Sequence, residues 1–127
     1  MNKAIISLGS NIDPDKNIQR AKELLGEKFH VLAESPFKVT KPIGEVKQAD
    51  FLNGTLLIET KLGVHQCKCL LNEIESVLGR DRFTDRFGPR TIDLDIVVWN
   101  DRIIDSDFHD RDYLQQSVLA LAPDLKY

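Results

Sequence analysis

Asp93 and Asp95 are separated by one residue in the run Thr91-Ile92-Asp93-Leu94-Asp95-Ile96. Alternate side chains of an extended strand leave the same face, so the two carboxylates project together, about 6–7 Å apart. Ile92, Leu94, Ile96 and Val98 would then point into a core. Parallel carboxylates repel each other, and a divalent cation held by hard oxygens removes that repulsion. Four of the seven arginines (Arg80, Arg82, Arg86 and Arg90) lie within eleven residues, 80–90, shortly before this pair. Arginine recognises phosphate bidentately. Carboxylates for Mg²⁺ beside arginines for phosphate are the parts of phosphoryl or nucleotidyl transfer, a chemistry that can use two metal ions. The bland alternative is a solvated strand face whose arginines pair with Asp81 and Asp85.

The surrounding elements must hold these groups. Residues 4–8 form a short apolar run ended by Gly9-Ser10-Asn11, which reads as a buried strand and a turn. Asp13-Pro14 then supplies an N-cap and a first-turn proline, and Gly26 supplies a helix stop. Val31–Thr40 reads as a strand interrupted by Pro36, and Phe51–Thr60 as another. Val64, Cys67, Leu70, Leu71, Ile74, Val77 and Leu78 recur at helical spacing up to Gly79. That spacing turns Cys67 to the core and Cys69 away from it. Residues 91–99 form the strand of the acidic pair. A turn at Asn100-Asp101, a short return strand at Ile103-Ile104 and a helical tail follow. The order β-α-β-β-α-β predicts an α+β fold, a ferredoxin-like sandwich with helices packed on one face of a largely antiparallel sheet.

Composition excludes several classes. The 127 residues are 42% hydrophobic and 29% charged, ordinary for one globular domain spanning 1–127. A net charge of −3 argues against a general nucleic-acid binder. No apolar run is long enough to cross a membrane, and the N-terminus lacks a signal-like apolar segment. Two cysteines are too few for a disulfide framework or a four-ligand zinc site. A soluble, cytoplasmic protein is therefore expected; a monomer acting on small molecules is a separate expectation, its substrates those of the resemblance given below. Neither G-x-x-x-x-G-K nor G-x-G-x-x-G occurs, so the common nucleotide-binding loops are absent.

The run Arg86-Phe87-Gly88-Pro89-Arg90-Thr91-Ile92-Asp93-Leu94-Asp95-Ile96 resembles the signature of the 2-amino-4-hydroxy-6-hydroxymethyldihydropteridine pyrophosphokinases. Leu8-Gly9-Ser10-Asn11, Thr40-Lys41-Pro42-Ile43-Gly44 and Asp50-Phe51-Leu52-Asn53 resemble other parts of that family, in order, and the likeness covers residues 1 to about 104. The resemblance implies transfer of pyrophosphate from ATP to the hydroxymethyl group of a dihydropterin, with release of AMP, in folate biosynthesis. It implies two Mg²⁺ ions, ATP as co-substrate and a ferredoxin-like fold. Asp93 and Asp95 would hold the metal. Arg80 and Arg90 would serve the transferred phosphates. Glu75, Arg82, Arg90, Ile96, His109 and Arg111 would face the nucleotide. Thr40, Ile43, Phe51, Asn53, Phe87 and Tyr113 would form the pterin pocket. The loop Arg80–Pro89 is expected to close over the phosphates.

The C-terminal region departs from the family pattern. It is compressed to Phe108-His109-Asp110-Arg111-Asp112-Tyr113-Leu114, with Arg111 and Tyr113 standing for an Arg-x-Phe motif. Ala122-Pro123-Asp124-Leu125 resembles the family's late A-P-E-L, and Phe87 stands where tryptophan is common. Two rival readings are a general nucleotidyltransferase and a degenerate member that binds pterin or nucleotide without catalysis. The first needs its Gly-Ser turn within roughly a dozen residues of the acidic pair, and here Ser10 and Asp93 are far apart in sequence.

Overall fold

The computed structural model describes residues 1–44, 47–79 and 91–127. Strand β1 (Asn2–Ser10) leads into helix α1 (Pro14–Lys28), and β2 (His30–Glu34) and β3 (Lys38–Thr40) follow. Next come β4 (Phe51–Thr60), α2 (Val64–Val77), β5 (Asp93–Trp99), β6 (Arg102–Ile103), α3 (Asp107–Asp110) and α4 (Asp112–Leu121). Pro36 falls in the break between β2 and β3, as expected of a residue with no N–H to give a ladder. Both strands pair with β4. The sheet order is β2-β4-β1-β5-β6, with every pairing antiparallel. This is the expected sandwich topology.

Helix α1 begins after Asp13, which adopts the left-handed region at φ 41° and makes no side-chain cap bond. It does not stop at Gly26 as the sequence predicts. It runs to Lys28, and the Phe29 N–H bonds to Leu25 O. A Cβ on Gly26 would meet nothing within 4 Å, so no packing demand selects glycine there. The burial of Leu25 and Phe29 outweighs the roughly 1 kcal/mol that an interior glycine costs. Gly79, at φ +85°, is the true stop after α2.

The sheet has a core on each face. Ala4, Ile6 and Leu8 of β1, with Leu56, Ile58, Leu94 and Ile96, pack against Ile18, Ala21 and Leu25 of α1 and Cys67, Leu71 and Ile74 of α2. The opposite face carries Ile5, Val97, Val98, Phe108, Leu114 and Val118. The C-terminal helices thus add a layer on the face that the sequence reading leaves bare. Val98 also belongs to this second core, not to the first with Leu94 and Ile96. The β1–β5 register runs Ile6↔Ile96 and then Ile5↔Val98, leaving Val97 as the extra residue of a bulge. One extra residue reverses the alternation, so Val98 changes face. At the β5–β6 turn Asn100 takes φ 53°, a region that asparagine tolerates.

Candidate active site

The register of the three central strands builds the site in ranks. Residues paired across β4, β1 and β5 share a face. The first rank, Leu57–Ile5–Val98, joins the second core. The second rank is Thr55–Ser7–Asp95, and the third is Asn53–Gly9–Asp93. On this one face the sheet changes from apolar to polar over four residues of β1. The helices cover only the apolar end. The polar end opens into a cavity of about 690 Å³.

The cavity gathers most of the sequence-predicted residues. Asp93, Asp95 and Ile96 of β5 line it, with Phe51 and Asn53 of β4 and Thr40 and Ile43 on the side of β3. Arg111 and Tyr113, at the start of α4, form the facing wall. His109 is exposed and not among the lining residues, and its ring meets Phe108 edge-on at 5.3 Å. Glu75 is fully buried, and its Oε2 accepts the Leu94 N–H at 3.0 Å. It thereby grips the backbone between the two aspartates. Arg80, Arg82, Phe87 and Arg90, and with them the expected lid, lie outside the described residues.

Backbone and side chain cooperate at Asn53. Its Nδ2 donates to Thr40 Oγ1, so β3 fixes the amide's rotation. Gly9 lies beneath the amide, and a Cβ there would sit 2.6 Å from Asn53 Oδ1. Glycine at position 9 is thus required by the approach of a polar side chain. The next two residues hold the loops on either side. Ser10 Oγ donates to Thr91 O at 2.6 Å, just before the acidic strand. Asn11 Nδ2 donates to Gln48 Oε1 at 2.7 Å and Ala49 O at 2.9 Å, just before Phe51. In the sequence alone Gly9-Ser10-Asn11 reads as a turn.

Further charged residues line the cavity beyond those given a role from sequence. Lys38 precedes Thr40 by two and shares its strand face, and Lys41 and Lys68 add further positive charge to the walls. Asp105 and Asp107 line the cavity near Asp93. Burial raises the Asp105 pKa, and the charges of Asp107 and Asp93 add to the rise against the Asp107 N–H and Arg111. Arg111 pairs with Asp107 at 3.4 Å and donates to Tyr113 Oη at 3.4 Å. Burial disfavours its charge, but these partners outweigh it and raise its pKa.

A cation fits the acidic pair. Asp93 and Asp95 offer hard oxygens from one strand face that opens on the cavity. Among the described residues no group of three His, Cys, Asp or Glu side chains converges. Two carboxylates completed by substrate phosphate oxygens are the usual Mg²⁺ arrangement.

Residues 5–123 match the 7,8-dihydro-6-hydroxymethylpterin-pyrophosphokinase family. The chain belongs to that family. It is 32% identical to the 2-amino-4-hydroxy-6-hydroxymethyldihydropteridine pyrophosphokinase of Haemophilus influenzae, over 96% of this chain and 82% of that protein. It is 38% identical to the enzyme of the same name from Bacillus subtilis, over 94% of this chain and 75% of that one. The folic acid synthesis protein of Schizosaccharomyces pombe is 37% identical over 96% of this chain, which spans only 18% of that protein's length. No described helix is long and apolar enough to cross a membrane.

Proposed function

We propose that this pyrophosphokinase-family chain transfers pyrophosphate from ATP to the hydroxymethyl oxygen of 6-hydroxymethyl-7,8-dihydropterin and releases AMP, a step of folate biosynthesis. The observation that carries this reading is the third rank of the sheet. It sets an amide that can read a heterocycle edge, Asn53, on the same face as a metal-competent carboxylate, Asp93, with Gly9 between them.

The balance of the reaction fixes what the site must do. The hydroxymethyl oxygen forms a bond to the β-phosphorus, and the bond from that phosphorus to the oxygen retained by AMP breaks. The proton of the hydroxyl is lost. Phe51 and Tyr113 offer aromatic faces to a flat ring, and the Asn53 amide, fixed by Thr40, reads its polar edge. Ile43 lines the same cavity, and by the family resemblance Phe87 would belong to that pocket. Asp93 and Asp95 would hold Mg²⁺, two ions in all, which neutralises charge on the β- and γ-phosphates when bound. Arg80 and Arg90 would stabilise the charge that moves with the transferred group. Ile96 and Arg111, which line the cavity, would face the nucleotide, with Glu75 acting by holding Leu94 in place; the family resemblance adds Arg82 and His109 to that side.

The test is direct. Incubation with ATP, Mg²⁺ and the dihydropterin should yield AMP and pterin diphosphate in equal amounts. A chain that binds a pterin analogue yet forms no AMP under those conditions is a binding protein, and the catalytic reading fails.

A further inference from the structure

Helix α4 changes character along its length. Leu114 and Val118 bury themselves in the second core, while Ser117 lies at the cavity wall. Its Oγ is 2.8 Å from Ser35 Oγ and 2.9 Å from Thr55 Oγ1. Thr55 Oγ1 also lies 3.1 Å from Ser117 O, to which it can donate. Ser35 Oγ accepts the Thr55 N–H at 2.9 Å, and the Ser35 N–H returns a bond to Thr55 O at 2.9 Å. Thr55 is 0% exposed and Ser35 3%. Three hydroxyls from three segments bond to one another, with Ser35 and Thr55 buried and Ser117 at the cavity edge.

Their placement gives the cluster a use. Ser35 sits at the break between β2 and β3, beside Pro36 of the cavity wall. Thr55 lies two residues beyond Asn53 on the same sheet face. Tyr113 precedes Ser117 by one helical turn, so both share a face of α4. The cluster therefore ties the wall carrying Tyr113 to the strands carrying Phe51 and Asn53. Apolar contact is non-directional and lets a helix slide on a sheet. Hydrogen bonds need set distances and angles, and so fix its position.

We propose that Ser117 is a positioning residue for the dihydropterin: through Ser35 and Thr55 it sets the width of the slot between Tyr113 and Phe51. The proposal rests on the pterin pocket given above. Ring stacking is sensitive to such a width, because a gap of about 0.5–1 Å forfeits a quarter to a half of each dispersion contact.

Ser117→Ala removes the bridging hydroxyl at almost constant volume. A pterin analogue should then bind about fivefold more weakly by calorimetry, the effect of losing one ordinary hydrogen bond. The KM for dihydropterin should rise in proportion, with kcat at saturation and the affinity for an ATP analogue unchanged. Thr55→Val breaks the cluster from the strand side, and the double variant should bind no worse than either single one. Ser35→Ala replaces either variant that does not fold. A lowered melting temperature with unchanged pterin affinity makes the cluster merely structural and overturns the proposal. Asn53→Ala is the control. If it loses pterin affinity while Ser117→Ala does not, only the positioning role fails. If both keep full affinity, the pterin pocket itself is misplaced, and this proposal falls with it.

Discussion

The two faces of β1, β4 and β5 share one backbone and carry different chemistry. On the face covered by α1 and α2, Leu8 pairs with Gly54 and Leu94, Ile6 with Leu56 and Ile96, and Ala4 with Ile58 and Trp99. Those ranks are apolar from end to end. On the other face, Ile5, Ser7 and Gly9 head ranks that pass from Leu57 and Val98 to Asn53 and Asp93. The polar ranks contribute little to packing, so their geometry is inherited from the residues behind them. Leu94 lies between the two aspartates and faces the closed core. The buried Glu75 carboxylate holds the N–H of that same residue. A site of this kind is pre-organised by its reverse side, which is what electrostatic catalysis requires.

The sharpest way to break the comparison is to truncate neighbours on β5. Asp93→Ala or Asp95→Ala should lower turnover about a thousandfold, since metal-borne charge stabilisation is worth several kcal/mol. Either change relieves carboxylate repulsion and should leave thermal stability unchanged or slightly raised. Leu94→Ala should do the converse first. It should cost about 2–5 kcal/mol of stability, with activity falling only as the strand loosens. AMP release and thermal denaturation on the three variants decide the matter. An aspartate variant with wild-type turnover at ordinary Mg²⁺ removes that residue from the site.

Much of this is legible in the sequence. Alternation from Ile92 to Ile96 marks the face of the aspartates, because each polar residue sits between two apolar ones. It fails at Val97 and Val98, where the apolar run contains nothing to reveal a bulge. The α2 stripe is equally clear, and Cys67 is buried and Cys69 exposed as its spacing requires. Gly26 misleads because glycine is a local stop signal while helix length is set by the burial of Leu25 and Phe29. The C-terminal helix is legible as a helix, but its target is not. The family resemblance assigns Arg111 and Tyr113 to the site, but only tertiary placement reveals that Leu114 and Val118 cover the second face. Lys38 and Lys68 are unreadable for a similar reason, since an isolated lysine looks the same on any exposed surface.

Gly9 and Gly54 offer a finer contrast, one on each face. A Cβ at position 9 would collide with Asn53 Oδ1, and a Cβ at 54 would sit 2.5 Å from the Phe37 ring. Gly9→Ala should swing the Asn53 amide away from Thr40 and weaken pterin binding about tenfold, a loss within the range for one buried polar group. ATP-analogue binding should be unchanged. Gly54→Ala must displace a ring packed against the first core and should cost about 1–3 kcal/mol of stability. Calorimetric titration of a pterin analogue, with thermal denaturation of both variants, separates the effects. Equal pterin affinity in Gly9→Ala and the parent chain would show that the amide does not need its glycine.

The smallest expected effect comes from Asp105, where the open face meets the C-terminal helices. Burial raises its pKa above the ordinary 3.8 of an aspartate, with the charges of Asp107 and Asp93 adding to the rise. A carboxyl whose pKa is higher folded than unfolded binds more protons in the native state. Its contribution is therefore favourable below the unfolded value and is lost as pH rises through the folded one. Asp105→Asn removes the charge and keeps an oxygen for the Asp107 N–H, now accepted by Asp105 Oδ1 at 3.0 Å. The variant should melt slightly above the parent at pH 7 in metal-free buffer, and the gap should close as pH falls through about 4. Melting curves of both chains across that range provide the check. A gap that stays constant with pH would assign the gain to packing instead of charge.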